Sequence, residues 1–368
     1  MGPGPTAQGQ NQLGQFMTLL NEAHGLCQGG QLDLAEQTAE RALALARAMG
    51  EPGYEASALG TLIGIYGLKG HASRAIETGL RALALAAGVP NVTLCATIHG
   101  DIVRVAATEL NKLNRQFMAL GTSRQFAQAL RVGAELRRMV VRLGDPMRMA
   151  TCLAGEGQLW AMQDNETENL TCLERAFDAA IPGGAYDLLS RLIGLLNASL
   201  KEMVPGALAG RPGADSGATV SRLATCGRTA EAILKTGCSE KIALARSRYQ
   251  ASDPANALQA VDALLGEMSS SADSAGLATA MALKASLVAA REFMTTGRSR
   301  EVLDLYCDAL THAVASRNAR VVWSIAADAE KAIESAREAG LAEEEAVVAR
   351  ADDRLRSSLQ EFAAVLSQ

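Results

Sequence analysis

The chain is poor in aromatic residues, with six Phe, five Tyr and two Trp in 368 positions. Sheet proteins draw on aromatic and β-branched side chains, so this scarcity argues against a sandwich or barrel. Alternating apolar and polar residues are also missing. The short β-branched stretches Ile102-Val103-Arg104-Val105 and Met139-Val140-Val141 are isolated and flanked by helix formers, which places them inside helices. No uncharged apolar run reaches about 18 residues, so no membrane span is expected. No apolar core follows a basic start, so no secretory leader is expected. The seven cysteines are an odd, scattered set, which points to reduced thiols and a cytoplasmic address.

Chemistry-bearing patterns are scarce too. The four histidines are His24, His71, His99 and His312. His24 and Cys27 stand three apart on one helix, half of a metal site with no second pair nearby. His99-Gly100-Asp101 has no nucleophile motif beside it. Gly60, Gly64 and Gly67 recur at helical spacing, and no Gly-Lys-Ser/Thr follows them. They read as close helix packing or as a shallow floor, not as a phosphate loop. No catalytic residue, cofactor or metal ligand is therefore assigned, and the chain is not expected to be an enzyme. The net charge is −5 with a pI near 5.6, and basic residues are scattered. Their densest group, Arg131, Arg137, Arg138 and Arg142, reads as a solvated outer face. No nucleic-acid partner is expected.

What the chain does have is Ala, Leu, Arg and Glu in quantity, all good helix formers, and an internal repeat. Gly30, Ala35, Ala39, Ala42, Leu43, Ala44, Leu45 and Ala46 match Gly70, Ala75, Gly79, Ala82, Leu83, Ala84, Leu85 and Ala86 at an offset of about 40 residues, a helical-repeat spacing. Such a unit cannot bury its apolar face alone and must stack on neighbours. Gly-Pro punctuation marks the stops: Gly50-Glu51-Pro52-Gly53, Gly88-Val89-Pro90, Gly144-Asp145-Pro146 and Pro182-Gly183-Gly184. Between them the sequence reads as antiparallel helix pairs. The expected organisation is a disordered tail over residues 1–12, helical repeats over 13–203, a flexible loop over 204–217, further repeats over 218–340 and a capping or relay helix over 341–368. The loop, VPGALAGRPGADSG, carries too much Pro and Gly for a continuous helix. The acidic run Glu343-Glu344-Glu345 falls at the first turn of the last helix, where it complements the dipole.

The matched stretches resemble tetratricopeptide repeats. Leu59, Leu62 and Tyr66 fit the first helix of such a unit, Gly70 its turn, and Ala75, Gly79 and Ala82 its second helix. Leu19, Ala23, Leu26, Gly30, Ala35, Ala39 and Ala42 fit less closely. Ala289, Ala290, Phe293, Gly297, Val302, Tyr306 and Ala309 form a later unit, and Leu244, Ala245, Tyr249, Ala257, Val261 and Leu264 another. The resemblance implies an all-α, right-handed superhelical solenoid of antiparallel helix pairs that binds a protein or peptide on its concave face. Carried over from the family pattern, partner-binding positions are Asn21, His24 and Gln28, then Thr61, Gly64 and Leu68, then Thr97, Arg104 and Gln158. This set has no Lys and does not resemble the two-Lys carboxylate clamp of some relatives.

Phrases such as RALALARAMGEPGYEASAL also look like the sensory repeats that precede the output domain of some bacterial diguanylate cyclases, and like arrays in peptide-responsive transcription regulators. Neither a Gly-Gly-(Asp/Glu)-Glu-Phe sequence nor a helix-turn-helix is evident. That resemblance implies a ligand-gated regulatory region without its output domain, with a possible homodimer through the C-terminal helix.

Overall fold

A computed structural model describes residues 7–89, 91–207, 214–251, 253–292, 299–338 and 345–367. Among the described residues the protein is all-α, a succession of sixteen helices with no strand. They are α1 (Ala7–Gln28), α2 (Leu32–Met49), α3 (Pro52–Leu68), α4 (Ala72–Ala86), α5 (Val92–Thr122), α6 (Phe126–Leu143), α7 (Pro146–Ala161) and α8 (Glu166–Ala180). Then come α9 (Tyr186–Ala207), α10 (Ala214–Thr236), α11 (Cys238–Gln250), α12 (Pro254–Met268), α13 (Ser274–Glu292), α14 (Ser299–Ala315), α15 (Ala319–Glu338) and α16 (Glu345–Ser367). Successive helices pack as antiparallel pairs, α1 on α2, α3 on α4, α7 on α8, α11 on α12 and α13 on α14. This is an all-α helical-repeat fold built of antiparallel helix pairs.

The stops follow their local chemistry. Gly30, Gly50, Gly70 and Gly144 have φ of 73°, 72°, 75° and 58°, the left-handed conformation that ends a helix at little cost only for glycine. Pro52 and Pro146 open the next helices, where a missing N–H is harmless. Asp145 caps α7 by accepting from the Arg148 N–H at 2.9 Å.

Some boundaries differ from the sequence reading. α1 already begins at Ala7, inside the expected tail, because its Ala and Gln residues favour helix. α9 runs on through Pro205 to Ala207 and α10 starts at Ala214. Residues 208–213 of the expected loop lie outside the described residues, as do residues 1–6, Phe293, Gly297 and 339–344.

The chain divides into two compact units. One is Met1–Lys112 with Leu359–Gln368, the other Leu113–Ser358. In the first, Ala35, Ala39, Ala42, Ala75, Gly79 and Ala82 are all buried, so small residues sit where helices cross and let the axes approach. A Cβ on Gly79 would overlap Ile102. The first helices of the pairs pack side by side at a steady offset. Phe16 of α1 meets Tyr54 of α3 with ring centroids 5.3 Å apart. A Cβ on Gly60 or Gly67 of α3 would meet Ile98 at 3.9 Å or Val105 at 2.5 Å, both on α5. Each of these three pairs is 38 residues apart, slightly less than the sequence repeat, because neighbouring parallel helices are staggered.

In the second unit Phe117 sits over Gly155, and Gly121 over Leu159, at the same offset. The register expected for the α11 unit holds in part: Ala245 is buried, as are Ala257, Val261 and Leu264 of α12, but Leu244 and Tyr249 are 51% and 43% exposed. α11 restarts after left-handed Gly237, which sets the phase that turns Leu244 and Tyr249 outward.

The last helix buries Val348, Leu355, Leu359, Phe362 and Leu366 within the chain. Its apolar stripe is thus occupied internally, and pairing with a second copy through it would require leaving that site.

Candidate functional site

Among the described residues of the first unit, one side of the first-helix layer is left uncovered. On α3, Tyr54 faces α1 while Gly60 and Gly67 face α5. At about 100° per residue, the line Ser57, Thr61, Gly64, Leu68 falls between those two contact lines, opposite the buried Leu59, Leu62 and Tyr66. Thr61 and Gly64 are half-buried and Leu68 is 64% exposed. Gly64 is the low point, since a Cβ there would meet no heavy atom within 4 Å. Flanking this line are Asn21, His24 and Gln28 on α1, all exposed, and Thr97 and Arg104 on α5, also exposed. Eight of the nine expected positions therefore lie on this one layer. Gln158 is exposed too, but it sits on α7 in the second unit.

The polar groups of this face are largely engaged with their own helices. The Ser57 hydroxyl donates to the Gly53 carbonyl at 2.9 Å, Thr61 to Ser57 at 3.4 Å and Thr97 to Thr93 at 2.8 Å. The His24 Nδ1 lies 2.8 Å from the Leu20 carbonyl. A carbonyl only accepts, so Nδ1 is the donor in this contact. With Nδ1 so engaged, His24 does not present that nitrogen to a metal beside Cys27. Arg104 is held by Asp101 one turn away. What remains outward is threonine methyls, acceptor lone pairs, the side-chain amides of Asn21 and Gln28, and the apolar Leu68 and Met17, the latter 48% exposed.

Beside this face lies a charged seam that the sequence reading missed. Lys69, at the end of α3, bridges Asp33 and Glu36 of α2 at 2.6 Å each. Arg74 of α4 reaches Glu36 at 2.9 Å and stacks 4.1 Å from the Tyr66 ring centroid. The Lys69 hydrogen bonds hold the Asp33 and Glu36 carboxyls below their ordinary range, and the two carboxylates raise Lys69 in return. Neither Lys69 nor Arg104 is thus a free cation for a carboxylate.

The basic group on α6 also departs from its expected solvated face. Arg131 and Arg138 are exposed. Arg137, however, pairs through Nε with Glu156 of α7 at 2.9 Å, with only 4% of the Glu156 side chain exposed. Burial pushes the Glu156 carboxyl up, and Arg137 opposes that shift. The i, i+4 pattern of α6 could not reveal this, because Glu156 lies on another helix.

Among the described residues no three His, Cys, Asp or Glu gather as a metal site, and no helix is long and apolar enough to cross a membrane.

No protein-family model and no curated protein matches the sequence. Among solved structures, the tetratricopeptide-repeat domain of P58(IPK) is 13% identical over 94% of this chain and 98% of that one, with a TM-score of 0.22. A circular tandem repeat protein with novel repeat topology and enhanced subunit contact surfaces is 12% identical over 96% and 90%, also at 0.22. Overlays this loose carry no functional weight, and the fold stands on the helix pairs described above.

Proposed function

We propose that this protein is a non-catalytic scaffold that binds a segment of a partner protein across α1, α3 and α5. The observation that carries the reading is the uncovered line Thr61–Gly64–Leu68, flanked by exposed residues of both neighbouring helices. Its chemistry favours a segment with apolar side chains and mixed backbone hydrogen-bonding groups, because the face offers methyls beside side-chain amides that both donate and accept. Among the described residues of this face there is no pair of lysines to clamp a terminal carboxylate. The seven free thiols support a reducing, cytoplasmic setting. The alternative, a ligand-gated region of a bacterial signalling protein, draws no support from α16, whose apolar stripe is covered.

Gly64→Phe tests the reading cleanly, because its side chain would enter open space. Peptides selected from a displayed random library on the wild-type protein should lose at least about tenfold in affinity for this variant, as hot-spot contacts do. They should keep their affinity for Arg138→Ala, on the exposed side of α6. Equal binding to Gly64→Phe would move the site elsewhere. Turnover in a substrate screen would overturn the non-enzyme assignment.

A further inference from the structure

In a one-dimensional repeat stack each unit contacts only its neighbours. Among the described residues, the second unit departs from this where four turns meet. The Ala275 N–H donates to the Pro182 carbonyl at 3.0 Å and the Ala319 N–H to the Gly144 carbonyl at 2.9 Å. The Asn318 side-chain amide donates to the Gly183 carbonyl at 3.0 Å. At the centre, the Tyr186 hydroxyl donates to Asp273 Oδ2 at 2.7 Å, and the Gly276 N–H to Oδ1 at 2.8 Å. Asp273 is fully buried.

The surroundings are built tightly around this carboxylate. A Cβ on Gly276 would overlap Asp273 and lie 2.7 Å from the Tyr186 hydroxyl. Gly184 next to it has a φ of 66°. Burial drives the Asp273 carboxyl up, against the pull of its two hydrogen bonds, and drives Tyr186 up as well. The Tyr186 ring also packs against two separate apolar clusters. One spans α7 to α10 around Phe177, Leu189 and Leu192. The other lies around Ile242, Leu264 and Met268 in α11 and α12, with Ala280 of α13.

We infer that the Tyr186–Asp273 joint is the latch that makes these two sub-arrays unfold as one. Residues 87 apart in sequence share a partly buried hydrogen bond here, so separating the clusters breaks this bond and strips the Tyr186 ring from one of them. The latch fixes the angle at which α13 and α15 enter beside the turn after α8, and so couples the two halves of the unit. This inference is independent of the binding face in the first unit.

The two tryptophans stand on either side of the joint: Trp160 on α7, a helix of the first cluster, and Trp323 on α15, which packs on the α13 that carries Ala280 of the second. The experiment follows urea unfolding of the full chain by fluorescence in the single-tryptophan forms Trp323→Phe and Trp160→Phe. The two midpoints should coincide with the latch intact. They should separate by on the order of 1 M urea with Asp273→Ala, from the cost of one unpaired buried group against a common denaturant slope. Asp273→Asn keeps an acceptor for Gly276 and should preserve coincidence. If Asp273→Ala does not fold, Tyr186→Phe removes one hydrogen bond and serves in its place. Midpoints that differ in the parent, or that stay together in the folded variant, would overturn the latch.

Discussion

Lys69 in the first unit and Arg137 in the second are both cations held by a glutamate from another helix, yet their surroundings differ. Lys69 shares two carboxylates, one of them with a side chain 86% exposed. Arg137 faces one carboxylate that is almost fully enclosed. A pair open to water gains little over its hydrated components. A buried carboxylate loses its water, and its partner becomes a condition for keeping the charge. Asp273 extends the second case, held by a phenol and a backbone N–H. The seam of the first unit is thus tunable by salt, whereas the polar interior of the second fixes geometry.

The largest effect expected from breaking this contrast is at Arg137. Arg137→Ala leaves Glu156 enclosed without its ion-pair partner and should cost about 3 kcal/mol near neutral pH, the low end for a broken buried pair because Arg137 itself is partly exposed and Arg175 still acts on the carboxylate. Without the arginine the Glu156 pKa rises further above its ordinary value. A raised carboxyl contributes stability that is present at low pH and lost as pH rises, so the deficit should shrink on acidification. Urea melts at pH 7 and pH 5 measure this, and an equal deficit at both would place Glu156 in contact with water.

Next in size is the crossing of α4 under α5. Gly79→Ala would drive a methyl into Ile102 and should cost roughly 1–3 kcal/mol by overpacking. Ala82→Leu, at another fully buried position of α4, should fall in the same range. Unchanged denaturant midpoints in both would mean that this interface has slack.

The smallest effect belongs to Lys69→Gln. Its loss should be minor, fade in 0.5 M salt as screening sets in, and fade also as pH falls. The sign follows from the lowered Asp33 and Glu36 carboxyls, whose contribution is present above their ordinary range and lost as pH falls from there through their lowered folded-state values. Thermal melts against salt and pH read both trends. A deficit that survives high salt would make the seam a packing element instead.

Much of the fold was legible because its signals are local. Gly30 and Gly70 match in sequence and adopt nearly the same φ, and Gly-x-Pro stops at Gly50 and Gly144 coincide with left-handed caps. The candidate positions came from the family pattern. Their placement on one side of α3 agrees with helical spacing, and their exposure follows from the burial of Leu59, Leu62 and Tyr66. At Leu244 and Tyr249 this reasoning failed, because the phase of a short helix depends on where Gly237 restarts it.

The sequence by itself determined most helix boundaries, those marked by Gly and Pro above all, and which small residues line the crossings of the first unit, since backbone sterics and 3.6-residue periodicity act within a few residues. Only the tertiary structure decided which charges are buried and which turns meet. Arg137 finds Glu156, and Tyr186 finds Asp273, through packing of helices far apart in the chain. The energy of those pairs comes from the exclusion of water by neighbours that no local pattern specifies.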